Sequence, residues 1–154
     1  MKNGEILRVK NLICRSLNGN RESYEILKNE YYFEKEAEWF RKTFVGLIKL
    51  VSKKKNYVSY EELAVFSNKL YPNYPLPTSG GSLAQNLGRI LGELSLISWC
   101  VGDFLISVAV INKTLKTQGK GFEKLGVIFE ADLNSKDEWF EKVKKLAEFL
   151  EGKK

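Results

Sequence analysis

All three prolines of this chain fall in one stretch, Tyr71-Pro72-Asn73-Tyr74-Pro75-Leu76-Pro77-Thr78-Ser79-Gly80-Gly81. A proline has no N–H to donate and holds φ fixed, so neither a helix nor a central strand crosses such a run. One regular segment must therefore end near residue 70 and another begin near residue 82. The stretch itself reads in two ways. It is either a binding loop displaying Tyr71 and Tyr74 to a partner, or a stiff connector with its tyrosines packed down.

A helix is predicted on each side. Ser59-x-x-Glu62 is a capping box, in which each side chain satisfies a backbone N–H at a helix start. Ser82-x-x-Gln85 repeats the pattern and opens a helix with Leu83, Leu87, Ile90, Leu91 and Leu94 on one stripe. The opposite face carries Gln85, Asn86 and Arg89, the side-chain types that pair with adenine and guanine edges. Gly80, Gly81 and Ser82 precede that helix, where free N–H groups attract anions. Residues 104–111, with Ile106, Val108, Val110 and Ile111, read as a buried strand. A polar loop over 112–121 and a return strand at 127–129 complete an expected hairpin. Lys113, Lys116 and Lys120 near its tip suit phosphate contacts.

Helix, helix and basic hairpin together predict an α+β fold with a winged-helix-like core over 57–130. Helices are expected on both flanks. Residues 34–51 bring Ala37, Phe40, Phe44, Leu47, Ile48 and Val51 to one face. A third capping box, Ser135-x-x-Glu138, starts a last helix, which either packs back on 34–51 or pairs with a copy of itself in a homodimer. Residues 1–30 carry a loose apolar stripe broken at Asn18-Gly19-Asn20. They read as an N-terminal appendage to a single domain spanning 31–154.

The chemistry on offer is narrow. The 154 residues contain no histidine, which removes His-based hydrolases, metal sites and acid–base catalysis. Cys14 and Cys100 lie in apolar surroundings and match no zinc spacing, so both read as buried reduced thiols. Gly119-Lys120-Gly121 lacks the earlier glycine and the following Ser or Thr of a phosphate loop. Glu93 and Asp103 are the single acid pair that could serve a metal-dependent nuclease. No catalytic residue, metal or cofactor is otherwise implied. Lysine and arginine total 25 against 19 acids, a net charge of +6, which favours anionic partners. The Lys53-Lys54-Lys55 run reads as a solvated helix end. No apolar run approaches the length of a membrane span, and Glu5, Arg8 and Lys10 interrupt any signal pattern. A cytoplasmic protein with no membrane partner is expected.

The segment 57–120 resembles the DNA-binding domain of the alkylguanine alkyltransferases and alkyltransferase-like proteins. Val58-Ser59-Tyr60-Glu61-Glu62-Leu63-Ala64 matches the family's Val-Ser-Tyr-x-x-Leu-Ala helix start. Gly88-Arg89-Ile90-Leu91 matches its Gly-x-x-Leu, and Val110-Ile111-Asn112 its strand end. The resemblance implies a winged helix and DNA as the ligand. It does not imply alkyl transfer. Where the family has Pro-Cys-His-Arg or Pro-Trp-His-Arg, this chain has Ile106-Ser107-Val108-Ala109. The stretch 108–122 also resembles small proteins of phages and mobile elements.

These readings rank three functions. First is a non-enzymatic nucleic-acid-binding domain, DNA favoured, using Gln85, Asn86, Arg89, Lys113, Lys116 and Lys120. Second is a protein-interaction module of a mobile-element, phage or defence system, using Tyr71 and Tyr74. Last is a histidine-free nuclease at Glu93 and Asp103.

Overall fold

The computed structural model describes residues 2–30 and 33–152. The fold is mostly helical, with one small parallel sheet. Its elements are α1 (Lys2–Leu17), α2 (Arg21–Asn29), α3 (Lys35–Lys54), β1 (Val58–Ser59), α4 (Tyr60–Leu70), α5 (Gly80–Gly102), β2 (Val110–Ile111), α6 (Lys120–Ile128) and α7 (Lys136–Leu150). Short 3₁₀ turns cover Ile106–Ala109 and Leu133–Ser135.

The centre of the molecule is α3. Its apolar stripe predicts one buried face, but the helix is enclosed by α1, α2, α4, α5 and α7. Glu38, Arg41, Lys42 and Thr43 are consequently buried along with Phe44, Leu47 and Ile48. Buried charges need partners. Arg41 finds Glu38 at 2.7 Å and the Leu27 carbonyl at 2.9 Å. The Lys53–Lys55 run is a solvated helix end as expected, with Lys54 reaching Glu62 at 2.7 Å.

The first thirty residues are no appendage. Val9, Ile13, Tyr24 and Leu27 are fully buried in the common core. The Tyr24 hydroxyl donates to Glu151 at 2.5 Å, tying α2 to the far end of the chain. The C-terminal helix α7 takes the first of its two expected arrangements. It packs on α3, burying Trp139, Val143 and Ala147, and Phe140 stacks on Tyr57 with ring centroids 4.1 Å apart.

Two predicted elements are replaced. Residues 104–111 form a strand only at Val110–Ile111, which pairs in parallel with Val58–Ser59. The preceding backbone has other partners. The Ile106 N–H donates to the Ser98 hydroxyl at 3.0 Å, and the Ser107 N–H to the Ser95 hydroxyl at 3.1 Å. Ser98 in turn donates to the Phe104 carbonyl at 2.7 Å. With its polar groups satisfied by hydroxyls from α5, this segment has no need of a sheet ladder.

The hairpin is absent as well. Asn112 organises a compact loop, its side-chain oxygen accepting from the N–H groups of Thr114 and Leu115 at 2.9 and 3.0 Å. The chain then forms α6, not a return strand. Phe122, Leu125 and Phe129 recur at three and four residues and turn inward, while the β-branched Val127 and Ile128 point out, 78% and 70% exposed. Helical period prevails over local β preference. Of the three capping boxes, only Ser59–Glu62 forms. The second helix begins earlier, with Ser79 at its N-cap position, and both it and α7 start without a side-chain cap bond.

Candidate functional site

The site is built around the start of α5, and the proline stretch positions it. Lys42 rises from α3 and its ammonium donates to the carbonyls of Tyr71, Asn73 and Tyr74 at 2.7, 2.9 and 3.1 Å. Asn68 clasps Leu76 from both sides, donating to its carbonyl at 2.9 Å and accepting from its N–H at 2.7 Å. The Trp39 indole also donates to the Tyr74 carbonyl at 2.7 Å. The stretch is thus a pinned connector. Tyr71 is packed down, its hydroxyl on the Lys28 carbonyl at 2.9 Å and its ring 3.6 Å from the Arg41 guanidinium. Burial raises the Tyr71 phenol above its ordinary range, with Arg41 opposing. Of the two tyrosines, Tyr74 is the one that stands out to solvent, 48% exposed.

From Ser79 the chain enters α5 through Gly80, whose φ of +69° suits glycine. No side chain caps this helix start, and no acid lies in its first turn. The open N–H groups and the helix dipole therefore face outward unneutralised.

Beside it lies a groove of about 840 Å³. One wall is the outward face of α5, with Ala84, Gly88 and Gly92 spaced one turn apart. The other is formed by the 112–119 loop and α6, which contribute Lys113, Lys124, Leu125 and Phe129. Tyr60, at the start of α4, closes one end against Gly119. A Cβ on Gly119 would come within 2.9 Å of the Tyr60 hydroxyl, so a larger residue there would have to displace the Tyr60 ring. Burial lifts the Tyr60 phenol above its usual value, with a backbone hydrogen bond from Gly119 working the other way.

The structure brings four of the sequence-derived nucleic-acid and anion-site residues to this groove, Gly80, Gln85, Arg89 and Lys113, together with Glu93 of the acid pair. Gln85 is exposed and has no hydrogen-bond partner among the described residues. Arg89 makes a two-pronged ion pair with Glu36 at 3.0 and 3.1 Å, on the surface. Gly81 and Ser82 stand exposed beside the groove. Asn86 turns back on its own helix, donating to the Ser82 carbonyl at 2.8 Å, and lies outside the lining. Lys116 is exposed on the loop beyond the lining, with a left-handed φ of 56°. The side chain of Lys120 lies outside the described residues.

The acid pair does not form a site. Glu93 is held by Lys10 at 3.1 Å, and Asp103 is the C-cap of the same helix. Ten helical residues separate them by about 15 Å along the axis, too far to share a metal. Among the described residues no cluster of three or more metal-ligating side chains occurs. Both cysteines are free thiols, but Cys100 is exposed and Cys14 half-buried, because position 100 faces away from the core side of α5. No described helix is long and apolar enough to cross a membrane.

Tyr60, Lys124, Phe129 and the Ala84–Gly88–Gly92 stripe were not singled out from sequence. The stripe has a readable signal, small residues every fourth position on a predicted helix. Compared with protein-family models, curated proteins and solved structures, the chain matches none.

Proposed function

We propose that this chain is a non-enzymatic nucleic-acid-binding module, with α4, α5 and the 112–119 loop in a winged-helix-like order and the groove along α5 as its binding face. One observation carries the reading. Gln85 and Arg89 from a helix, and Lys113 from a loop far along the chain, line a single groove. Beside them is a helix start with neither cap bond nor acid. Base-reading side chains, a cation and free N–H groups are the parts such a site needs. The Arg89–Glu36 pair is no obstacle. Exposed ion pairs are worth about 0–1 kcal/mol, so a phosphate can displace Glu36 cheaply.

The test is binding of labelled DNA and RNA across a salt series. Affinity should fall steeply with salt, because bound phosphates release counterions. An Arg89→Ala/Lys113→Ala variant should bind more weakly and with a shallower salt slope. Binding insensitive to salt, or undiminished in that variant, would refute the reading.

A second reading, a protein-interaction module, is favoured by a different observation. Leu115, Val127 and Ile128 are large apolar side chains that stand 70%, 78% and 70% exposed. Tyr71 no longer belongs to that surface, since it is packed down. Val127→Ser, at a position outside the groove lining, would weaken capture of a protein partner while leaving nucleic-acid binding intact.

A further inference from the structure

A helix that reads a duplex has to protrude, because base edges lie at the bottom of a groove of the nucleic acid. Here the outward face of α5 is a wall of a cleft, opposed by the 112–119 loop and α6. Gly81, Gly88 and Gly92 have no atom within 4 Å of where a Cβ would stand, among the described residues, so the space above the helix is open. Open space beside aromatic rings suits unpaired bases, which stack on aromatic side chains whatever their sequence.

Aromatic groups of that kind are present. Phe129 lines the groove and is backed by Trp99, stacked at 5.6 Å and nearly parallel. Tyr60 closes one end, and Gln85 offers an unpartnered amide for base edges. The charges are arranged for a strand whose phosphates stay outside. Lys113, Lys116 and Lys124 are exposed on the loop and α6. Of the two acids in the lining, Glu93 is neutralised by Lys10 at 3.1 Å, leaving Glu61.

We propose that the groove takes single-stranded nucleic acid, its bases laid between the small-residue wall of α5 and the Phe129 and Tyr60 rings, its phosphates on the lysines of the 112–119 loop and α6. This rests on the nucleic-acid reading above and narrows it to unpaired strands.

The experiment compares a labelled single-stranded oligonucleotide, its RNA equivalent and the same sequence as a duplex, by fluorescence anisotropy at low salt. Wild type, Gly92→Leu and Gly88→Leu are each measured, with thermal melts alongside. A Cβ at either position meets no described atom within 4 Å, and leucine replaces a helix-interior glycine, so the melts should be unchanged or higher. Single strands should bind wild type at least about tenfold tighter than duplex. The leucine variants should lose about tenfold or more of that affinity, as expected for one or two lost base stacks. Trp99 emission in wild type should change on adding the single strand, a readout that requires no variant.

Three results would overturn the proposal. Duplex bound equally well or better, with the leucine variants unaffected, would leave the nucleic-acid reading standing and remove the groove from it. No binding of any nucleic acid at low salt would end both. A protein partner released by Gly92→Leu, in the absence of nucleic-acid binding, would assign the groove to a polypeptide.

Discussion

Replacing Lys42 by methionine should destabilise the protein by about 3 kcal/mol, and the figure follows from what the ammonium holds. Lys42 is fully buried, and its charge faces no carboxylate of its own, because the nearest, Glu38, is engaged by Arg41. Its partners are oxygen atoms: the Tyr71, Asn73 and Tyr74 carbonyls and, at 3.3 Å, the Asn68 side chain. Methionine keeps the stem packing and removes the donors. Asn68 would keep its bond from the Leu76 N–H, and the Tyr74 carbonyl its bond from Trp39. The carbonyls of Tyr71 and Asn73 would be orphaned. Each costs about 1–3 kcal/mol if it stays dry. Some of that is returned because a desolvated charge is no longer buried. A loss of about 3 kcal/mol corresponds to about 10 °C in melting temperature for a chain of this size.

Thermal and urea unfolding followed by circular dichroism would measure the loss, and amide exchange at Leu76 would report whether the connector has come free. A Lys42→Met variant that melts at or above wild type would refute the reasoning. It would mean that desolvation of the charge outweighs everything the ammonium binds.

The same residue makes a pH prediction. Burial pushes the Lys42 amine down to about 8 from an ordinary 10.5. Below pH 8 both folded and unfolded chains carry the proton. Between 8 and 10.5 the unfolded chain holds it and the folded one does not, so unfolding takes up a proton and stability rises with pH. The gap between wild type and Lys42→Met should therefore widen across that window. A constant gap would show that the carbonyls hold the ammonium charged.

Two further contrasts follow from the packing. Gly46→Ala should cost about 1–3 kcal/mol, since its Cβ would lie within 3.2 Å of the Ser67 Cβ where α3 meets α4, whereas Gly92→Ala should stabilise by up to about 1 kcal/mol; both are read from urea midpoints. Ser59→Ala should lose about 1 kcal/mol with the one formed capping box, while Ser135→Ala, which removes no cap bond, should stay within a few tenths.

What the sequence made legible was local. The proline stretch, the Ser59–Glu62 box, and the helices over 34–51 and after Ser135 depend on residues within a turn or two of one another. What it concealed depended on distant partners. Ile106, Val108 and Val110 have the composition of a strand, and only the hydroxyls of Ser95 and Ser98, brought in from α5, show why most of that strand does not form. The three lysines over 113–120 have the spacing of a hairpin tip. The missing return strand follows from Phe122, Leu125 and Phe129 claiming a helix that rests against α5 and Trp139. Lys42 looked like any polar position on an amphipathic helix, because its acceptors lie about thirty residues downstream.

The candidate site shows the same division, and the reason is physical. Its chemistry, amide and cation side chains on one helix face, is carried by residue identity and spacing, so Gln85, Arg89 and Lys113 were found from sequence. Its shape is not. A concave surface requires a second wall, and that wall is α6, whose place was assigned to a strand. Calling the segment a hairpin made α5 a protruding reader of duplex DNA; finding it helical encloses the same side chains in a cleft. The change of one element therefore alters the expected ligand and part of the contact set: Gln85, Arg89 and Lys113 stay, Asn86 and Lys116 fall outside the lining, and Lys124 and Phe129 join it. Stability and recognition also meet in one place. Lys42 and Asn68 fix residues 71–76 of the connector that leads into α5, so a buried ammonium two helices away helps to set where the groove's helix begins.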